Sequence, residues 1–305
     1  MIHTQMQKTA RPPWMERPSR AQLTAKAVIF GMILVAVIYP FVSVIATSLA
    51  SQQDVDAGGG MVLLPLQLHP SFDAYASIFQ GGVISRALMV SVAITTIGTV
   101  LSVAVTTGLA YGLSRPVVGR RVFLTLALLS LLFTPGIIPS YLLVKQLGLL
   151  NTYASLVVPV LLNAFNLVVL RQFFMDIPHE LVDSARIDGA NELQILLRIV
   201  LPLSGAVLAV VALLYAVFYW NAFFQGLLYL QDSSMWPLQL VVRQYVIQGS
   251  PLPGVTAYAA SGGSPPPTQS IQMAVVVVAT LPILLVYPFL QRYFTRGVLT
   301  GAIKG

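Results

Sequence analysis

Six long runs of hydrophobic residues, none containing Asp, Glu, Lys, Arg or His, dominate the pattern of this chain. A helix needs about 20 apolar residues to cross the roughly 30 Å hydrocarbon core of a bilayer, and each run is close to that length or longer. Polar and charged residues return between the runs. The pattern therefore predicts an all-α membrane protein with six transmembrane helices, at residues 27–50, 87–113, 122–144, 152–170, 199–230 and 271–291.

The basic residues are divided unequally between the two sets of connecting segments. Arg86, Lys145 and Arg243 fall on one side, and the other 14 of the 17 Lys and Arg residues fall on the opposite side. Because segments rich in Lys and Arg stay in the cytoplasm, we expect both tails, 1–26 and 292–305, to be cytoplasmic. The first run is too long for a signal-peptide core and is expected to remain as a span. The outer loops are then 51–84 and 231–270.

Composition agrees with a membrane protein, since 56% of the residues are hydrophobic and 9% are charged, against about 25% charged in a typical soluble chain. The net charge of +7 follows from the topology, so no nucleic-acid partner is expected. The chain has no cysteine, and its spans hold no Asp, Glu, His or Lys for proton transfer or metal binding. It also lacks a P-loop. We therefore expect no catalytic residue, no metal site and no cofactor bound by this chain.

Prolines and small residues mark local features within and between the spans. Pro135 and Pro139 interrupt the third run and predict a packing kink or a gate. Residues 70–73 predict the start of a short helix, and the Pro-, Gly- and Ser-rich segment 249–267 predicts a flexible or polyproline loop. In the second run, small side chains favour close helix packing at Thr95, Gly98, Ser102, Ala104, Gly108 and Gly112.

The loop at 176–198 is the only connection that is dense in both charge signs. Asp176 is predicted to cap a helix with Pro178 in its first turn, Gly189 to end that helix, and Asn191 to begin a second one. Such a helical hairpin, running straight into the membrane, would fit a groove of a partner protein. The alternative is a solvated amphipathic connector. The apolar stripe predicted on the second helix comprises Leu193, Leu196, Leu197 and Val200.

This loop closely resembles the E-A-A…G…I-x-L-P loop of ABC importer permeases, in the P-x-E-L-x-E-A-A-x-I-D-G-A…I-x-L-P form of the carbohydrate-uptake branch. Asp183, Ser184 and Leu196 depart from the pattern, which usually has Glu, Ala and an aromatic residue there. The matching residues are Pro178, Glu180, Leu181, Ala185, Ile187, Asp188, Gly189, Ala190, Ile199, Leu201 and Pro202.

The resemblance extends over nearly the whole chain. Residues 147–153 resemble the family's turn before span four, 220–223 its W-N-x-F signature, and 293–305 the short tail of maltose-permease-like members. Residues 229–240 resemble the lipoprotein- and polysaccharide-type subgroup, whose members handle larger oligosaccharides. The resemblance implies the type I ABC importer permease fold over residues 27–291.

For function, the resemblance implies an importer in the bacterial cytoplasmic (inner) membrane that moves a carbohydrate, in particular an oligosaccharide. Its other parts would be a second homologous permease, two copies of an ATP-binding subunit that hold ATP and Mg²⁺, and an external solute-binding protein. This chain would be a transporter subunit and not an enzyme. The loop at 176–198 would be the coupling helix, which contacts the ATPase through Glu180, Asp183, Ala185, Asp188, Gly189 and Ala190.

An aromatic and amide cluster in span five offers contacts to a carbohydrate. Amides can bond the hydroxyl groups of a sugar, and aromatic rings can stack on its flat C–H faces. Helix packing and an outer aromatic belt are the alternative explanation for these residues. An ABC permease for a non-sugar solute and an ion-coupled secondary carrier also remain open as functions. The candidate pathway residues are Tyr215, Tyr219, Trp220, Asn221, Phe224 and Gln225.

Overall fold

A computed structural model describes residues 19–62, 69–133, 135–250, 253–260, 262 and 265–301. Within these ranges every regular element is helical. The predicted tails lie partly outside the described residues, at 1–18 and 302–305. The α-helices are α1 Arg20–Ser48, α2 Gln52–Ala57, α3 Asp73–Gln80, α4 Val83–Ser114, α5 Arg120–Leu132, α6 Ile137–Gln146, α7 Ala154–Val157, α8 Ala164–Met175, α9 His179–Ile187, α10 Glu192–Ile195, α11 Leu201–Leu203, α12 Gly205–Trp220, α13 Phe223–Tyr229, α14 Leu238–Val242, α15 Pro253–Ala260 and α16 Thr268–Gly301.

Three of the described helices are long and apolar enough to cross a membrane without a break, namely α1, α4 and the Thr268–Pro288 part of α16. Two further spans result if each of two bent helix pairs crosses as one unit. The first pair bends by 52° between Ala154–Val160 and Ala164–Met175, and the second by 85° between Glu192–Leu203 and Gly205–Trp220. The predicted span at 122–144 is divided into α5 and α6 beside Pro135, so the predicted interruption is confirmed.

The second helix of the hairpin was predicted to run straight into the membrane, but it does not continue straight into α12, because the chain turns sharply at Ser204. Pro202 has no backbone N–H, so it cannot continue the helical hydrogen-bond pattern. The N–H of Ser204 divides its hydrogen bond between the carbonyls of Val200, at 3.0 Å, and Leu201, at 3.1 Å. The predicted span at 199–230 is also interrupted at Asn221, where α12 ends before α13. That run therefore combines three helical segments.

Helix α4 lies at the centre of the packing, because α8 and α12 both rest against it. Buried residues on these three helices form one apolar cluster that also reaches the hairpin. Two tyrosines of α12 bond hydroxyl groups of α4: Tyr219 with Ser102 and Tyr215 with Thr106, each at 2.7 Å. A glycine at position 98 leaves room for the Tyr219 ring. The small-residue packing predicted for the second run is thus confirmed at Gly98 and Ser102.

The loops flanking these spans contain helices that pack on each other. The short helix predicted after residues 70–73 is confirmed as α3, and α15 lies against it. The prediction of a flexible or polyproline loop is wrong at Pro253–Ala260, which forms α15. A Cβ at Gly254 would clash with the carbonyl oxygen of Ser77, so glycine is what allows the two helices to approach. Residues 251, 252, 261, 263 and 264 of the same segment lie outside the described residues.

Candidate functional site

The hairpin at 176–198 consists of α9 and α10 joined by a tight turn. Gly189 follows α9 with φ +82°, a left-handed conformation that glycine adopts without a steric penalty. Asn191 and Gln194 then form a capping box, in which each side-chain oxygen accepts the other residue's backbone N–H at 2.9 Å. The predicted end of the first helix and start of the second are confirmed.

The predicted capping role of Asp176 is wrong. This residue follows the last residue of α8, and its N–H donates to the carbonyl of Gln172 at 3.1 Å. Helix α9 begins at His179, with Pro178 at the capping position in an extended conformation. Proline disfavours a helical conformation in the residue before it, so Ile177 separates Asp176 from the new helix.

The hairpin presents both charged and large apolar side chains at its surface. Ile187 is 86% exposed, and Leu193 and Leu197 are more than half exposed, whereas Val182 and Ile195 are buried and anchor the hairpin. Neighbouring exposed apolar side chains in a polar surround indicate a surface that a partner covers. Of the implied contact residues, Ala185 and Ala190 are half-buried. The others are exposed, namely Glu180, Asp183, Asp188 and Gly189.

The predicted apolar stripe on the second helix does not pack as one face. Val200 is buried, but Leu193 and Leu197 are exposed, and Ile195 is buried in their place. A π-helical turn at Leu196–Val200 adds a residue to the turn, and the buried residues on either side of it, Ile195 and Val200, are five positions apart. A 3.6-residue period cannot predict the buried face across such a turn.

A polar network holds the hairpin together and joins it to α4. The Glu192 carboxylate accepts hydrogen bonds from Arg186, at 2.7 Å, and from the Tyr111 hydroxyl near the end of α4, at 2.5 Å. Arg186 also lies 3.6 Å from Asp183. Sequence reasoning missed Tyr111 and Glu192, because neither stands in the E-A-A pattern.

The candidate pathway residues occupy two different environments. Tyr215, Tyr219 and Trp220 are buried against neighbouring helices, whereas Asn221 and Phe224 are exposed and Gln225 is half-buried. The Tyr215 hydroxyl accepts the backbone N–H of Asn163 at 2.9 Å in addition to its bond with Thr106. Asn221 donates its side-chain amide to the carbonyl of Val217 at 2.8 Å and so caps α12. The structure therefore does not bring the six residues together in one wall.

A cavity of about 380 Å³ lies beside the break in the fourth predicted span. Its lining includes Asn163, Asn166, Leu214, Tyr215 and Phe218. The Asn166 residue is only 4% exposed, and within the described part of the chain its side-chain amide makes no hydrogen bond. Amide groups at the middle of an apolar span are costly against lipid, so they mark protein contacts or a wet pathway. Sequence reasoning missed both asparagines, which stand in a run without any charge.

The family profile described as "Binding-protein-dependent transport system inner membrane component" matches residues 104–300. This match covers more than half of the chain and includes the hairpin, the network around Glu192 and the cavity. The chain belongs to this family. The resemblance to ABC importer permeases is therefore confirmed, and the permease is a non-enzymatic membrane component of the bacterial inner membrane that works with a separate ATPase and a solute-binding protein.

Relatives match the permease over almost its full length. The polygalacturonan/rhamnogalacturonan transport system permease protein YtcP of Bacillus subtilis is 46% identical over 91% of this chain and 97% of its own. Protein LplC of the same organism is 45% identical over 88% of this chain and 90% of its own. Among solved structures, the permease resembles a chain of a bacterial ABC transporter involved in the import of the acidic polysaccharide alginate, with a TM-score of 0.84 and 29% sequence identity. The match covers 93% of the permease and 100% of that chain.

Proposed function

We propose that the permease moves an oligosaccharide inward as one of two homologous permease subunits of an ATP-driven importer. In this proposal two copies of an ATP-binding subunit hold ATP and Mg²⁺, and an external solute-binding protein delivers the solute. The observation that carries the proposal is the 46% identity to a polygalacturonan/rhamnogalacturonan permease over 91% of this chain. Two other near full-length matches, to LplC and to a chain of the alginate importer, agree with it.

The hairpin is the proposed contact with the ATPase. Its exposed turn has one residue, Gly189, at which an added Cβ would meet no atom of this chain within 4 Å. A partner backbone can therefore approach the turn closely, with Glu180, Asp183 and Asp188 as polar contacts beside it. Movement of the ATPase would then displace the hairpin and, with it, the helices behind.

The cavity beside α8 and α12 is the proposed part of the permease that the solute passes. The Asn166 amide has no partner within the described chain and lies where it can bond a hydroxyl group. Phe218 offers an aromatic face in the same lining. Tyr215 contributes to the lining, whereas Tyr219 and Trp220 are buried outside it. Exposed Asn221 and Phe224, with half-buried Gln225, would extend the path along the same helical run.

The test is ATPase activity and solute uptake by the complete complex in proteoliposomes, with binding protein that is empty or loaded. Oligogalacturonide, a neutral oligosaccharide and a phosphorylated glycerol would serve as probes. We expect stimulation and uptake only with binding protein loaded with an oligosaccharide. Stimulation by the phosphorylated probe alone would overturn the sugar assignment, and uptake driven by an ion gradient without ATP would overturn the ATP-driven importer.

The same assay tests the hairpin through Gly189→Asn. Asparagine tolerates positive φ, so the turn should form, but its side chain would enter the proposed contact. We expect the complex to assemble and stimulated uptake to fall at least about fivefold. Gly148→Asn is the matched control, because Gly148 also has positive φ, of 68°, in open space. Full uptake by the Gly189→Asn complex would contradict the contact.

A further inference from the structure

We infer that Tyr111 and Glu192 are positioning residues for energy coupling, which fasten the hairpin to α4 so that the two move as a unit. The inference rests on the proposed function, since it concerns how the hairpin transmits ATPase movement to the spans. Within the described chain, the Tyr111–Glu192 pair is the one side-chain hydrogen bond between the hairpin and α4. It joins residues that are 81 positions apart in the sequence.

The tyrosine end of this contact is fixed by packing. Tyr111 is 7% exposed, and its ring meets the Phe174 ring of α8 edge-on, with centroids 6.5 Å apart. The Arg115 guanidinium lies 4.8 Å from the centre of the Tyr111 ring and donates to its hydroxyl at 3.3 Å. The residues packed around the Tyr111 ring therefore hold its hydroxyl at the place where it donates to Glu192.

The glutamate end ties both arms of the hairpin to that hydroxyl. One carboxylate oxygen of Glu192 accepts from Tyr111, and the other accepts from the Nη2 of Arg186 in α9. Glu192 itself lies at the start of α10, on the other side of the Gly189 turn. One carboxylate thus joins α4, α9 and α10, and hydrogen bonds to a charged group are the stronger kind. A displacement of the turn cannot leave α4 behind without breaking this contact.

The position of Tyr111 on α4 gives the contact its functional meaning. Thr106, which bonds Tyr215 beside the cavity, lies five residues earlier on the same helix, about 7.5 Å along its axis. Ser102, one further turn along, bonds Tyr219. A continuous helix without proline is stiff, so a pull on Tyr111 reaches both hydroxyl pairs. The route from the hairpin to the cavity therefore runs through α4.

Two single substitutions separate the two arms of the contact. Tyr111→Phe keeps the ring packing and removes the hydrogen bond to the hairpin. Glu192→Gln keeps an acceptor for Tyr111 and removes the charge that pairs with Arg186. For Tyr111→Phe we expect uptake per ATP hydrolysed to fall at least about fivefold, with stimulated ATPase activity largely retained. Tyr229→Phe is the matched control, because Tyr229 is also buried but its hydroxyl makes no hydrogen bond within the described chain.

A third variant distinguishes a link to α4 from an ion pair that only holds the hairpin together. Arg186→Gln removes the ion pair inside the hairpin and leaves the hydrogen bond from Tyr111 to Glu192 in place. We expect this variant to lose less uptake per ATP than Tyr111→Phe, and an equal or larger loss would overturn the inference. Unchanged uptake per ATP in Tyr111→Phe would overturn it as well. If Tyr111→Phe does not assemble, Glu192→Asp is tested instead, because it keeps the charge but shortens the reach to Tyr111. We expect the same fall in uptake per ATP, and an unchanged value would overturn the inference.

The outcomes also separate this inference from the proposed function. If the unmodified complex shows no ATPase stimulation by any loaded binding protein, the proposed function fails. If the unmodified complex is coupled and Tyr111→Phe is equally coupled, only the positioning role fails.

Discussion

At the scale of single residues, Gly98 of α4 allows the close approach of Tyr219 of α12. A Cβ at Gly98 would lie 2.8 Å from two ring carbons of Tyr219, closer than non-bonded carbons can approach. Tyr219 is 1% exposed, and its hydroxyl is bonded to Ser102, so the ring has nowhere to move. The α4–α12 interface thus depends on the absence of a side chain at this position.

We therefore predict that Gly98→Ala destabilises the permease by about 1–3 kcal/mol, the usual cost of overpacking a core. Gly108→Ala on the same helix is the matched control, because no atom lies within 4 Å of its added Cβ. Alanine also has the higher helix propensity, so the control should be neutral or stabilising. Thermal unfolding of the purified complex measures both, and equal melting temperatures for the two variants would contradict the packing argument.

At the scale of elements, the breaks in the predicted spans place polar groups inside the membrane domain. Asn163 caps α8 after the bend, since its side-chain oxygen accepts the N–H of Asn166 at 3.2 Å. The Asn166 amide is left without a partner in the described chain, beside the cavity. The Asn166 amide is not among the fully buried partnerless groups of the described residues, which include the Thr107 hydroxyl, so it is open to the cavity, where it can bond a solute.

Asn166→Leu is therefore expected to keep or raise the melting temperature while it lowers uptake by about three- to tenfold, the value of one hydrogen bond to the solute. The control is Thr107→Val, which removes a buried hydroxyl on α4 that also has no partner among the described residues. That control should be stable and fully active. Uptake measured at saturating binding protein tests whether the Asn166 amide contacts the solute. Normal uptake by Asn166→Leu would leave the amide without a role in the pathway.

The sequence predicts elements well where local chemistry decides them. Gly189 and Asn191 determine the hairpin turn through backbone conformation and capping, and Pro135 marks a break through its missing N–H. Pro202 stands directly before the 85° bend at Ser204 and is a local signal for it, whereas no local pattern indicates the π-helical turn at Leu196–Val200. The contact between Tyr111 and Glu192 spans 81 residues and uses common residue types, so no motif could have indicated it.

At the scale of the whole molecule, many large apolar side chains of the permease are exposed among the residues that the structure describes. In the most apolar 18-residue stretch of α1 only 6% of the residues are buried, although this helix lies against α16. Such a surface is stable only against lipid or another apolar protein face, which agrees with a family of inner-membrane components. The proposed second permease would cover part of it. The distribution of charge then decides which ends of the helices face the cytoplasm.

The predicted orientation can be tested directly because the chain contains no cysteine. Single cysteines at Ser184 in the hairpin and at Ser233 between α13 and α14 would both be exposed. With 14 of the 17 basic residues on the hairpin's side, the positive-inside rule places Ser184 in the cytoplasm and Ser233 outside.

A membrane-impermeant maleimide should therefore label Ser233→Cys in intact cells, and Ser184→Cys only after the cells are opened. In the six-span topology the bent segment between the two positions crosses the membrane once, so the two cysteines lie on opposite sides. Labelling of both in intact cells would contradict this topology. The reverse pattern would instead place the hairpin outside, away from any ATPase, and would remove the basis for energy coupling through α4.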